Sequence, residues 1–352
     1  MLFWRQYHDL GQWYGYCVDE IVLVTGAAGF IGAHVTRELL ARGRNVRATA
    51  RNPDGAAFLR TLPIADGGSL EIVKMELLDA ESVLVAVSGC SDIIHCAAAL
   101  YVGAVDPQRD VVDPSIIGTK NLVAAISDDG GVKRIVHTSS VAAIRSTTFV
   151  NGQIFTAEDW CDDATLKTNA YGLAKAGAER VIREWWGAQD LDSRPRLVTM
   201  HPSVVIGPIL APRHLSGSMA YLDHLVKRKF PFVLKSHINM VDVRDVATAH
   251  VNGLELGESG KRFVLHAGGI WHKEMALVLR KSHPERKWAA RQLPKIATYL
   301  VAIFHPQISL GWVKKNIGRT CNYDANNSDN VLGFAWKSLD KSIIDGASSM
   351  MQ

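Results

Sequence analysis

Neither sign of charge is in excess along this chain: 39 lysines and arginines face 35 acidic residues, giving a formal net charge of +4. The two signs are interspersed, which excludes the broad basic footprint of a nucleic-acid binder. Cysteine is sparse as well. Cys17, Cys90, Cys96, Cys161 and Cys321 are odd in number and share no ligand-type spacing, which argues against a disulfide framework and a metal site and suits a reducing cytoplasm. Long apolar runs are lacking too. Met1 to Asp19 is aromatic-rich but broken by Arg5, His8 and Asp9; without a continuous apolar segment of signal-peptide type, it reads as an appendage before the domain. Leu293 to Trp312 is apolar, yet Lys295, His305 and Pro306 interrupt it, so a buried or lobe helix is expected there and membrane contact is not. No internal period stands out.

What remains is the composition of an ordinary enzyme. With 352 residues, 47% hydrophobic and 21% charged, the chain can bury a full core unaided. Glu20 to Val24 reads as a short buried strand, followed by a helix marked by Ile31, Val35 and Leu39 and stopped by Gly43. Further apolar runs occur at Asn45 to Ala50, Leu70 to Met75, Asp92 to Cys96, Lys133 to Thr138 and Arg196 to His201. The spacing leaves room for a crossover helix between strands, so an α/β fold is predicted, a Rossmann-type doubly wound parallel sheet. After His201 the alternation lapses among Pro202, Pro208, Pro212 and Pro231. Residues 20–207 are therefore expected to form the nucleotide-binding domain and 208–352 a smaller, mostly C-terminal substrate lobe. Ile238 to Leu254 is expected as a helix and Arg262 to Leu265 as a strand returning to the main sheet.

Between the first strand and helix lies Thr25-Gly26-Ala27-Ala28-Gly29-Phe30-Ile31-Gly32. Glycines in a GxxGxxG pattern let backbone approach a pyrophosphate, and the helix start supplies free N–H groups and partial positive charge. A glycine pattern alone is a weak signal, but the strand-to-helix context is the one this motif requires. At the end of the second strand, where an acid would accept bonds from a ribose 2′-OH, the chain has Arg51. A guanidinium there suits a 2′-phosphate, so NADP(H) is preferred and NAD(H) stays usable; a solvated loop arginine is the other reading.

Tyr171 and Lys175 stand four residues apart in a segment whose Ala174, Ala178, Val181 and Trp185 mark a helix, so they share a face. At about 4 Å and an effective dielectric near 20, the ammonium would favour phenolate by roughly 4 kcal/mol at most, bringing tyrosine into the range of general acid–base work. Ser140, at the end of the fifth strand, can hydrogen-bond a reacting oxygen. Tyr–Lys pairs also occur on many helices by chance, and strand-end serines are common.

Together these segments resemble the short-chain dehydrogenase/reductase superfamily, extended type, in its dihydroflavonol reductase, cinnamoyl-CoA reductase and carbonyl reductase branch. The likeness runs from about Glu20 to about Ser349 and includes Glu158-Asp159-Trp160, Pro202 to Pro208 and Asn239 to Ala247. It implies a catalytic triad of Ser140, Tyr171 and Lys175, with Lys175 also on the ribose. It further implies Gly26, Ala28, Gly29, Phe30, Ile31 and Gly32 on the pyrophosphate and Arg51 on the adenosine phosphate. Glu76, where the family usually has Asp, and Leu77 would meet the adenine; Cys96, Ala97 and Ala98 would line the cofactor, and Pro202 and Val205 the nicotinamide. Ser115 stands where many relatives place an asparagine, which puts a proton relay there in doubt.

Tyr101, Val141, Ile209 and Met219 follow strand ends or open the variable lobe and are the candidate substrate contacts, although core packing explains Val141 or Ile209 equally well. Their apolar character points to NADPH-dependent reduction of a hydrophobic ketone or aldehyde, reversible to alcohol oxidation. A sugar-nucleotide epimerase or dehydratase, or a 3β-hydroxysteroid dehydrogenase-like enzyme, would share the triad. A non-catalytic NADP-sensing regulator would be expected to lack the Tyr/Lys pair. The expected partner is a small carbonyl or alcohol, and a homodimer is compatible with the sequence.

Overall fold

An apolar run of four residues needs both faces covered, and a parallel strand between layers of helices provides that. Ile21–Thr25 forms such a strand, β1, with Val22, Leu23 and Val24 wholly buried, in the computed structural model, which describes residues 20–97, 105–304 and 310–351. Helix α1 (Phe30–Ala41) lays Ala33, Val35, Leu39 and Leu40 inward. It ends at Gly43, whose φ of 68° is left-handed and favours glycine. The alternation continues with β2 (Asn45–Ala50), β3 (Ser69–Lys74), α2 (Ala80–Val87), β4 (Asp92–His95), α3 (Asp113–Asp129) and β5 (Arg134–Thr138). A short strand, β6 (Gln153–Phe155), precedes the long helix α4 (Leu166–Gly187) and strand β7 (Arg196–Pro202). The chain then runs through β8 (Val204–Ile206), α5 (Ala220–Val226), β9 (His237–Asp242) and α6 (Val243–Asn252), and comes back as β10 (Arg262–Leu265).

Among the described residues seven parallel strands form the central sheet, in the order β10-β7-β5-β4-β1-β2-β3. Helices cover both faces, the Rossmann-like architecture. Chain order reverses between β1 and β4, which opens a crevice at the carboxyl ends of the strands. At the opposite end, Asp92 is fully buried and bonded to Arg44 at 2.9 Å and Arg134 at 2.5 Å, so the buried carboxylate is paired from two sides.

The segment 238–254 departs from expectation. Rather than one helix it is strand then helix: β9 pairs with β8 and with β11 (Gly268–Trp271) in a separate three-stranded sheet. Asp242 accepts the Arg244 N–H at 2.8 Å, and this cap starts α6 at Val243. Helix α6 packs on α1, while β10 joins the main sheet beside β7.

Beyond β11 come α7 (His272–Ser282), α8 (Lys295–Phe304), α9 (Leu310–Asn316), β12 (Cys321–Tyr323), which pairs with β6, α10 (Ser328–Val331) and α11 (Leu339–Met351). The α11 residues Ile343 and Ala347 enter a lobe core with Met219, Leu222, Met240 and Leu279. Helix α8 is only partly buried: Ala302 packs with Val313 and Ile317, whereas Ile296, Leu300 and Ile303 face outward. Among the described residues no helix is long and apolar enough to cross a membrane.

Candidate active site

The turn after β1 is shaped by what a side chain would strike. Gly26 has φ 66°, and a Cβ there would come within 2.8 Å of the Ala97 Cα. At Gly32 a Cβ would lie 2.3 Å from the Gly26 carbonyl oxygen, so α1 reaches the turn only with glycine at this position. Thr49 on β2 holds the turn from the side, its Oγ1 accepting the Gly26 N–H at 3.3 Å and its carbonyl the Ala27 N–H at 3.0 Å. Gly29 is the N-cap of α1, with no side-chain cap and no acid in the first turn. Free amides at the positive end of a helix, with no side chain in the cradle, fit a pyrophosphate. Ala28 is buried beside them, and Phe30 and Ile31 are half-buried.

Arg51 is exposed just past β2. Glu76 and Leu77 follow β3, but Leu77 is partly committed: it packs on α3 where Gly118 leaves room, and its carbonyl accepts from Asn121 at 2.8 Å. Cys96 and Ala97 follow β4, with the Ala97 N–H bonded to Thr25 Oγ1 at 3.1 Å. Ala98 and Tyr101 lie outside the described residues. Pro202 closes β7, and Val205 is buried in β8.

The phenol and ammonium come from α4, and that helix is kinked just ahead of them. Asn169 breaks it with φ −165° and ψ 70°, and its Oδ1 accepts the Gly172 N–H at 3.0 Å, so the helix restarts just before Tyr171 with an asparagine cap. A Cβ on Gly172 would meet Asn169 Nδ2 at 2.4 Å and the Ala142 carbonyl at 3.1 Å. Glycine next to Tyr171 thus allows α4 against the turn that begins at Ser140. That turn is fixed by the Ala142 N–H donating to Ser140 Oγ at 3.1 Å.

The electrostatics differ from the sequence expectation. Burial pushes the Tyr171 phenol above its ordinary value, and a side-chain hydrogen bond with Ser140 opposes that rise. Lys175, instead of acting on the phenol, donates Nζ–H to the Thr138 carbonyl at 2.9 Å. Burial brings its own pKa down to about 8, with Cys96 and Glu179 opposing. Thr138 is held in turn by His250, whose Nε2 lies 2.8 Å from Thr138 Oγ1 and whose Nδ1 lies 2.7 Å from the Val246 carbonyl. Burial keeps His250 neutral, its pKa about 4. Ser115 donates its hydroxyl to the Val111 carbonyl at 2.7 Å, within its own helix turn.

One functional neighbour escaped sequence reasoning. Glu179, a turn beyond Lys175, is fully buried. Its carboxylate accepts from Ser139 Oγ at 2.6 Å, His201 Nε2 at 2.7 Å and Arg262 Nε at 2.7 Å. Burial works against its charge, but His201 and Arg262 hold its pKa well below the carboxylate range; burial leaves His201 neutral, so that bond is a neutral N–H donating to an anion. Arg262 also donates to the carbonyls of Ala157 and Asp159 and stacks on Trp160 at 4.0 Å. The Asp159-Trp160 pair is thereby docked on α4 and β10.

Of the substrate candidates, Val141 opens the turn after Ser140 and is half-buried, and Ile209 is half-buried with its N–H on Ser349 Oγ at 2.9 Å. Met219 is fully buried in the lobe core, with Leu222 and Met240 in the same cluster. Among the described residues no group of His, Cys, Asp or Glu could hold a metal ion.

A model of the NAD dependent epimerase/dehydratase family matches residues 22–265. Cinnamoyl-CoA reductase CAD2 of Medicago truncatula is 32% identical over 279 residues, 76% of this chain and 82% of its own length. Ketoreductase azaE of Aspergillus niger is 30% identical over 355 residues, covering 94% of this chain and 97% of its own. The crystal structure of yeast methylglyoxal/isovaleraldehyde reductase Gre2 complexed with NADPH superposes with a TM-score of 0.76 at 22% identity, over 94% of this chain and 98% of that one. The chain belongs to the NAD dependent epimerase/dehydratase family, as an oxidoreductase of the extended short-chain dehydrogenase/reductase type.

Proposed function

We propose that the chain is an NADPH-dependent reductase of a hydrophobic ketone or aldehyde, with Tyr171 as the proton donor to the carbonyl oxygen. The supporting observation is the convergence of Tyr171, Ser140 and Lys175 at the carboxyl edge of the sheet, Lys175 being tied to Thr138 at 2.9 Å beside the glycine cradle. A phenol whose pKa is raised by burial stays protonated at neutral pH, the form that a donor needs. Ser140 orients the acceptor oxygen and shares its developing charge. Lys175, charged below about 8, holds ribose hydroxyls and supplies positive charge.

The cofactor would lie with its pyrophosphate on residues 26–32, its 2′-phosphate on Arg51, its adenine near Glu76 and Leu77, and its nicotinamide end toward Cys96, Ala97, Pro202 and Val205. When bound, the nicotinamide supplies the hydride. Half-buried Val141 and Ile209 leave apolar surface for the substrate. Two relatives named as reductases support reduction over epimerisation, and the exposed cation at Arg51 supports NADP over NAD.

Tyr171→Phe tests the reading. With a panel of aryl aldehydes and ketones, the variant is expected to lose about 10²–10⁴ in kcat, the usual worth of a positioned acid, while fluorescence titration finds NADPH binding within threefold of wild type. Undiminished turnover in that variant, or NADPH consumed with UDP-sugars alone, would remove the assignment.

A further inference from the structure

Arg145 and Arg319 both lie against the ring of Phe149, their guanidinium carbons 5.3 and 5.5 Å from its centroid. Neither has a carboxylate partner among the described residues. Arg319 donates to the Phe149 carbonyl at 2.8 Å. Arg145 is half-buried, and its electrostatic neighbours are the phenols of Tyr323 and Tyr221 and the thiol of Cys321. These groups come from three parts of the chain: the loop after β5, helix α5, and strand β12 with the turn before it that carries Arg319. Tyr221 is 39% exposed, so the cluster opens to solvent on its side.

Two half-buried cations on one ring, with no carboxylate partner among the described residues, lose part of their hydration without a paired charge in return. The cost falls when an anion enters, and guanidinium groups match a carboxylate by paired hydrogen bonds. The position is close to the chemistry. Successive turns, with Ala143 N–H on the Ser140 carbonyl at 2.9 Å and Arg145 N–H on the Val141 carbonyl at 2.8 Å, set Arg145 five residues beyond Ser140, roughly 8–10 Å along a helical rise.

We infer that Arg145 and Arg319 form an anion subsite of the substrate cleft and that the carbonyl compound reduced here carries a carboxylate. This rests on the reductase reading for the word substrate and refines the apolar pocket expected from Val141 and Ile209: the ligand is an apolar carbonyl body with one acidic end.

The experiment compares 4-formylbenzoate with its methyl ester in the NADPH-supplied full-length protein. Wild type is expected to favour the acid at least tenfold in kcat/KM. In Arg145→Gln and Arg319→Gln the acid-to-ester ratio is expected to fall toward one, with Arg145→Lys between. A wild-type ratio near one, or a ratio unmoved in both glutamine variants, overturns the subsite. Binding of 4-(hydroxymethyl)benzoate, measured by calorimetry on the same proteins, separates the two readings. If no carbonyl is reduced yet this anion binds wild type at least tenfold more tightly than Arg145→Gln, the reductase reading fails and the subsite stands. If it binds neither protein, or both alike, the subsite fails whatever the turnover.

Discussion

Lys175 illustrates how placement changes the meaning of a residue. Four positions from Tyr171, it suggested an ammonium that acidifies a phenol; folded, it is buried against the Thr138 carbonyl with a pKa down to about 8, and the phenol is pushed up by burial. The sign for activity follows. A lysine whose folded pKa is depressed is charged below about 8 and neutral above it, whereas Tyr171 stays protonated through that range. With NADPH saturating, kcat/KM for carbonyl reduction is therefore expected to decline as pH rises through about 8. A pH–rate profile that stays flat from 7 to 9.5 would contradict the need for the ammonium. Spacing in the sequence revealed that Tyr171 and Lys175 share a face; it held no information on how much water their heads retain.

At the scale of elements, α4 sets Tyr171, Lys175 and Glu179 in successive turns, and Glu179 fastens the helix to β5, β7 and β10 through Ser139, His201 and Arg262. Removing one member of a buried ionic cluster leaves the others unpaired and costs about 3–5 kcal/mol. Glu179→Ala is expected to fall in that range by urea unfolding, with Glu179→Gln milder because its amide oxygen still accepts. The carboxylate pKa is depressed in the fold, so its stabilisation is present above the unfolded carboxylate range and is lost as pH falls through the folded value. Wild type should accordingly lose more stability than Glu179→Gln on acidification; parallel losses would show that the charge is immaterial. The helix itself was legible from its apolar spacing, but Glu179 was not, because its partner Arg262 lies 83 residues on. The strand β9 was missed for a related reason: a short apolar run suits helix or strand, and only pairing with β8 and β11 decides between them.

For the molecule as a whole, the sheet and the lobe are not separable blocks. β10 returns to the main sheet, α6 packs on α1, and His34 of α1 lies 2.9 Å by its Nε2 from the Pro208 carbonyl. Cofactor binding at the sheet edge should therefore stabilise the fold against heat, by about 2.7 kcal/mol at a hundredfold excess over Kd. Thermal melts are expected to show a larger Tm rise with NADPH than with equal NADH, and Arg51→Asp is expected to erase that difference. Equal shifts in wild type, or a preference untouched by the substitution, would exclude Arg51 from phosphate recognition.

Local chemistry written in the chain was enough for the alternation of strands and helices, the glycine turn, the strand-end serine and the Tyr–Lys pair, because each depends on residues within a few positions of one another. Tertiary structure alone decided that Met219 is core, that Glu179 is the hub behind Lys175, and that Arg145 and Arg319 meet on one ring. Burial and charge pairing depend on residues brought together from distant parts of the chain, and these determine both the acidity of a group and whether a cation is left for a ligand.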